Sequence, residues 1–287
     1  MFSLSLGILA ALAWGLHDLT ARIIAAKAPT FAIMFGTIGA GFLILTPFVL
    51  IFSDWHMPSG NGIYWAIGSG VAYVIGCYGL FRAFSLAPTW LVSPIACSYP
   101  LISLIFSFCA GRPVSRLEWL SACAVIVGIL VIGLAREKKY KTNAGFITRE
   151  TMIKSTFWAF VGSVGFALTF YCGQNATQTS SALHMLWIGR ATSVLVIFLI
   201  LFLSGQELKP KGAKWPIFLA MGALDAAALS SVLVAGVLEN AQYATIASSM
   251  FGVVTILLAR HFLKELLKPG QWLGIFIVFA GISILAS

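Results

Sequence analysis

Charge is what this chain lacks. Asp and Glu number 9 and Lys and Arg 18, so charged residues make up 9% of 287, against about 25% in a soluble domain. Such a sequence has no polar shell to offer water, which excludes an ordinary soluble fold. Catalytic signatures are missing too: H-E-x-x-H, G-x-S-x-G and the P-loop do not occur. His17, His56, His184 and His261 are scattered, with no His or Cys partner at metal-ligand spacing. The five cysteines, Cys77, Cys97, Cys109, Cys123 and Cys172, show no C-x-x-C pattern and fall inside apolar stretches. They read as small hydrophobes, neither disulfides nor ligands. The expectation is a protein that is not an enzyme, with no metal and no cofactor.

Apolar residues are abundant: 60% of the chain, with a mean hydropathy of +0.96. They fall into ten stretches near 3–22, 31–52, 63–84, 91–110, 117–135, 155–174, 182–204, 215–236, 241–263 and 270–286. Each is about 20 residues, the length that crosses a hydrocarbon core of about 30 Å. The predicted fold is an all-α polytopic membrane protein of ten transmembrane helices, with the lipid bilayer as its solvent. The first stretch contains an Ala11-Leu12-Ala13 that mimics a signal-peptidase site, but it lacks a basic leader and the apolar run continues to about Leu16. It reads as the first spanning helix.

The chain also repeats itself. Trp119, Leu120, Val125, Gly128 and Ile129 recur as Trp272, Leu273, Val278, Gly281 and Ile282, 153 positions on, and Leu104 with Leu257 keeps the same offset. This divides the chain into a first five-helix repeat, 1–135, a basic linker, 136–154, and a second five-helix repeat, 155–287. Five crossings is an odd number, so the second copy enters the membrane from the opposite side. The two form an inverted-topology pair, the mark of a transporter built around a central path.

Basic residues set the orientation. Arg22, Lys27, Arg82, Arg136, Lys138, Lys139, Lys141, Arg149, Lys154, Lys209, Lys211, Lys214, Arg260, Lys264 and Lys268 all fall on the connections after odd-numbered helices, whereas Arg112 and Arg116 fall opposite. The positive-inside rule places the odd connections in the cytoplasm and both termini on the periplasmic or outer side. The same placement turns the net charge of +9 into an orientation signal, with no nucleic acid implied. A small-molecule substrate and the bilayer are the expected partners, and the expected assembly is a monomer or weak homodimer.

Three segments carry a family likeness: Ala13-Trp14-Gly15 in helix 1, the run from Tyr78 to Pro88 leading into helix 4, and the Trp-Leu…Val…Gly-Ile segment of helices 5 and 10. In these the chain resembles the ten-helix, EamA-type carriers of the drug/metabolite transporter superfamily, and within it the bacterial exporters of aromatic amino acids. The resemblance implies a bacterial inner-membrane secondary transporter whose helices 1, 3, 4, 6, 8 and 9 line the path, with 2, 5, 7 and 10 in support. One step departs. Where the family often has Gly-Glu after the fourth helix of each half, the second half keeps Glu265 but the first has Gly111-Arg112.

Ionisable groups within spans are costly and therefore mark function. Helix 1 carries His17, Asp18 and Arg22, with Asp18 and Arg22 spaced for a local ion pair. Helices 7 and 8 carry Arg190 and Asp225 near the midplane, where the two would neutralise each other. His17, Asp18, Arg190 and Asp225 are the candidates for proton or charge coupling. Trp14, Tyr73, Tyr78, Tyr99, Phe166, Phe170, Ser248 and Phe251 are the candidates for binding substrate, since mid-membrane rings with polar edges need partners. Pro94 and Pro100 remove two backbone donors from helix 4, so that helix is expected to bend or break beside the path.

Overall fold

The computed structural model describes residues 2–25, 27–52, 61–109, 111, 113–135, 140–142, 145–178, 181–206, 215–236, 238, 244 and 247–285. Its helices are α1 (Phe2–Ala25), α2 (Thr30–Phe52), α3 (Gly62–Leu86), α4 (Thr89–Ala96), α5 (Tyr99–Cys109), α6 (Arg116–Leu134), α7 (Arg149–Thr177), α8 (Ala182–Ser204), α9 (Trp215–Gly236), α10 (Phe251–Phe262) and α11 (Pro269–Leu285). Among the described residues, eight helical segments are long and apolar enough to cross a membrane, one of them being α4 and α5 taken together over Thr89–Phe106. Two shorter apolar helices, Ala247–Phe262 and Pro269–Ile284, occupy the ninth and tenth expected stretches. Most of the expected ninth stretch before Ala247 lies outside the described residues.

Helix starts follow local chemistry. Ser115 and Glu118 form a reciprocal capping box on α6. Thr148 caps α7 through the Thr151 amide, and Ser181 caps α8 through the His184 amide. Gly205, at φ 63°, ends α8 in the left-handed conformation that glycine adopts without strain.

Outside the helices, the linker carries one short element. Tyr140–Thr142 (β1) and Gly145–Ile147 (β2) form a small antiparallel hairpin with Tyr140 opposite Ile147. Both strands carry aromatic or β-branched residues, which suit a pleated ribbon. α7 begins at Arg149, within the basic segment, and there Glu150 and Lys154 pair across one turn at 2.6 Å.

Helix 4 is broken. α4 ends at Ala96, a turn follows at Cys97 and Ser98, and α5 resumes at Tyr99. Pro94 cannot donate to the Trp90 carbonyl, and Pro100 cannot donate to that of Ala96. The proline at the second position of α5 needs no intrahelical partner, so restarting there costs little.

The packing is two-fold. α3 lies along α7 as α9 lies along α1; α2 meets α9 as α8 meets α3; α1 meets α10 as α7 meets α4 and α5; α2 meets α8, and α6 meets α11. Exchanging the two halves leaves this pattern unchanged. The residues agree: a methyl group added at Gly128 would strike Val278, and one added at Gly281 would approach Val125. With Val278 and Gly281 standing 153 positions after Val125 and Gly128, each partner makes the other's contact, as a two-fold axis requires.

Small residues let the elements approach. Gly76 and Gly79 of α3 pack directly on Gly165 and Gly162 of α7, leaving no room for a side chain, the usual means of close association in lipid. The main core gathers Phe81, Phe84, Trp90, Ile33, Met34 and Ile256 among its fully buried side chains. Leu43, Leu134, Leu203, Phe202 and Phe276 are exposed, which suits a surface that faces acyl chains.

Candidate functional site

One polar cluster sits where the two repeats meet, and Asp225 is its centre. The carboxylate is buried on α9. Oδ2 lies 2.7 Å from Arg190 Nη2 of α8. Trp14 of α1 donates its Nε1–H to Oδ1 at 3.1 Å. Tyr73 of α3 donates its hydroxyl to Oδ2 at 3.4 Å. The Arg190 guanidinium also lies over the Tyr73 ring, 4.0 Å from its centroid, close enough for a cation–π contact. Four helices, two from each half, converge on one carboxylate. Gly41, Leu45, Leu186, Ala226 and Leu229 border the pair and leave a gap of about 10 Å³, room for no more than one water.

The rings extend this cluster. Phe251 of α10 meets Trp14 edge-on at 5.7 Å. Phe166 of α7 lies 6.2 Å from Tyr73. Trp14, Tyr73, Phe166, Phe251, Arg190 and Asp225 therefore form one continuous assembly. Ser248 is buried just before α10.

The other candidates lie elsewhere. Tyr99, at the break of helix 4, stacks on Phe170 at 5.0 Å and forms a second aromatic pair. Tyr78 stands apart, stacked on Phe31 of α2 at 4.7 Å and edge-on to Trp158 of α7 at 5.3 Å. Its ring is packed between helices and does not join the Asp225 assembly. His17 and Asp18 are both buried and pair with each other, Nδ1 to Oδ1, at 3.0 Å. Phe81 lies beside the imidazole at 6.0 Å.

One sequence expectation is corrected. Asp18 and Arg22 do not form a local pair. Arg22 Nε instead donates to Glu265 Oε1 at 3.1 Å, and Nη1 donates to the Phe84 carbonyl at 2.6 Å. These acceptors sit at the end of α1, where the long arginine reaches them, and Asp18 already holds His17. Glu265 also accepts from the Thr89 amide and hydroxyl, each at 2.8 Å. Sequence reasoning set Glu265 apart only by family resemblance. The local signal was its isolation, a lone acid between Lys264 and Lys268. Thr89 gave no signal at all.

Among the described residues no group of three or more His, Cys, Asp or Glu is arranged to hold a metal ion. The site brings together an ion pair, ring faces, and indole and hydroxyl donors in a buried setting.

Comparison with known proteins bears on the two-repeat organisation of the chain. The model of the EamA-like transporter family matches the chain twice, over residues 1–134 and 153–287. No curated protein matches it significantly. A solved structure described as a crystal structure of protein is similar in fold, with a TM-score of 0.65 and 16% identity, over 98% of this chain and 95% of that one.

Proposed function

Because the chain belongs to the EamA-like transporter family, we propose that it exports small amphipathic metabolites, amino acids with aromatic or large neutral side chains foremost. The protein is a multi-pass membrane transporter, and its substrate is the finer question. In this reading ten crossings form two inverted five-helix repeats in a bacterial inner membrane, with both termini on the outer side. The repeats rock about a midplane site. No nucleotide-binding motif occurs in the sequence, so a gradient of substrate or protons drives the cycle.

The observation that carries this reading is the Asp225 assembly. A buried ion pair of the second half accepts from two aromatic donors of the first, so rocking of the halves changes the contacts of Trp14 and Tyr73 with it. A zwitterion suits such a place. Its ammonium competes with Arg190 for Asp225, its carboxylate competes with Asp225 for Arg190, and the rings take its side chain. Tyr99 and Phe170 supply a second ring face at the helix break. His17 and Asp18, a buried titratable pair, are the proposed proton carriers.

Counterflow in proteoliposomes tests this. Labelled phenylalanine, tryptophan or leucine should accumulate against a preload of the same compound, unchanged chemically. A second solute class has an observation in its favour: buried acids, Asp18 and Asp225, beside aromatic faces also suit a lipophilic cation. Counterflow of such a cation with no response to amino acids would replace the first reading by the second.

A further inference from the structure

Glu265 is the second repeat's only member of a four-part contact at the end of the molecule that carries the odd-numbered connections. The other members belong to the first repeat: Arg22 near the end of α1, the Phe84 carbonyl near the end of α3, and Thr89 at the start of α4. The carboxylate is nearly saturated. Oε1 takes the Arg22 Nε–H at 3.1 Å, and Oε2 takes both the amide and the hydroxyl of Thr89 at 2.8 Å. Thr89 is fully buried, and the side chains of Arg22 and Glu265 are 15% and 8% exposed. Bonds to a charged acceptor in such a setting are the strong kind. The bond from the Thr89 amide also satisfies one orphan donor at the N-terminus of α4.

We propose that Glu265 is a latch that closes this end of the transport path. The inference rests on the alternating-access reading above. Its logic is mechanical: opening this end requires the repeats to part here, and every bond that Glu265 accepts crosses the repeat boundary. Parting would strand the Glu265 carboxylate and the Thr89 amide and leave Arg22 with the Phe84 carbonyl alone, unless water enters to take the place of the lost partners. The latch and a water-filled opening at this end therefore exclude each other.

The repeat makes the latch one-sided. By the 153-residue offset, the position of Glu265 is filled in the first half by Arg112. A guanidinium accepts no hydrogen bonds. It cannot accept from a helix N-terminus, and at the same offset Arg22 is replaced by Asn175, which carries no charge to pair with it. The two ends thus close by different chemistry, although the packing of their helices is two-fold. Weakening Glu265 should favour the state open at this end without weakening the opposite closure.

Thiol accessibility tests the latch without any substrate. Cys97 is buried at the break of helix 4, where a side chain on Gly252 of α10 would strike its sulfur. In a chain that keeps Cys97 alone, a membrane-impermeant maleimide is applied to either face of oriented vesicles. Glu265→Gln and Arg22→Ala should each speed labelling from the face of the odd connections by roughly tenfold, within the usual range of coupling energies. Labelling from the opposite face should slow. The double variant should gain little over either single one, since both break one network. Unchanged rates from both faces, in variants that remain monodisperse, overturn the proposal. If either variant aggregates, Thr89→Ala, which removes one hydroxyl donor, carries the test with a severalfold acceleration, and no acceleration refutes it. Failure of all counterflow while labelling shifts as expected would sink the solute assignment and leave the latch standing.

Discussion

Removing Arg190 and removing Asp225 should not cost the same. Both groups are buried, with side chains 6% and 8% exposed, and they meet at 2.7 Å. Breaking such a pair by deleting one partner typically costs about 3–5 kcal/mol, because the survivor is left charged in a low dielectric. The survivors differ here. Without Arg190, Asp225 keeps the Trp14 and Tyr73 donors, and a carboxyl group can also take up a proton. Without Asp225, Arg190 keeps the face of Tyr73, worth about 0.5–2 kcal/mol, and it cannot discard its charge. Arg190→Met should therefore fall at or below the low end, about 3 kcal/mol, and Asp225→Leu near the upper end, about 5 kcal/mol. In the double variant no charge is stranded, and a Met beside a Leu fills similar volume. Its loss should be well below the sum of the singles, with a coupling of at least about 2 kcal/mol. Thermal unfolding in one detergent, followed by tryptophan fluorescence and size exclusion, reads all four corners of the cycle. Additive losses would refute the reasoning, and equal single losses would refute the asymmetry.

Other consequences are simpler to test. Tyr99→Ala removes one face of the stack with Phe170 and should raise the apparent KM for aromatic substrates severalfold, given about 0.5–1.5 kcal/mol per ring pair. Tyr78→Ala should instead lower thermal stability and leave KM near wild type, because Tyr78 is packed between Phe31 and Trp158; a KM effect as large as that of Tyr99→Ala would place it on the path. Transport by His17→Ala should lose the pH dependence of the wild type, and an unchanged profile would end the proton role of His17. Reporter fusions should place 136–154 in the cytoplasm and a C-terminal reporter outside. A cytoplasmic C-terminal signal would reverse the orientation and move the Glu265 latch to the opposite face.

The solvent, the helices and the duplication were legible in the amino acids, and the physical reason is that each is a local or periodic property. A run of about 20 apolar residues needs lipid whatever its neighbours are. Missing backbone donors at Pro94 and Pro100 mark the break in helix 4 from either side. An offset of 153 between matching residues requires no coordinates, and the packing of Gly128 and Gly281 turns it into a spatial axis. Residue count alone put Arg190 and Asp225 at similar depth. Tertiary structure decided everything that depends on which way a helix face is turned. Trp14 and Asp225 are 211 positions apart, and Thr89 and Glu265 are 176 apart. Nothing local distinguishes Tyr73, which reaches Asp225, from Tyr78 five residues on, which packs between helices. Arg22 could choose Asp18 one turn away, and the fold offered it Glu265 and a helix-end carbonyl instead. In lipid the apolar pattern that places side chains in a soluble protein is nearly uniform. Helix rotation is therefore set by close glycine contacts and polar pairing between distant segments, and those exist only once the chain has folded.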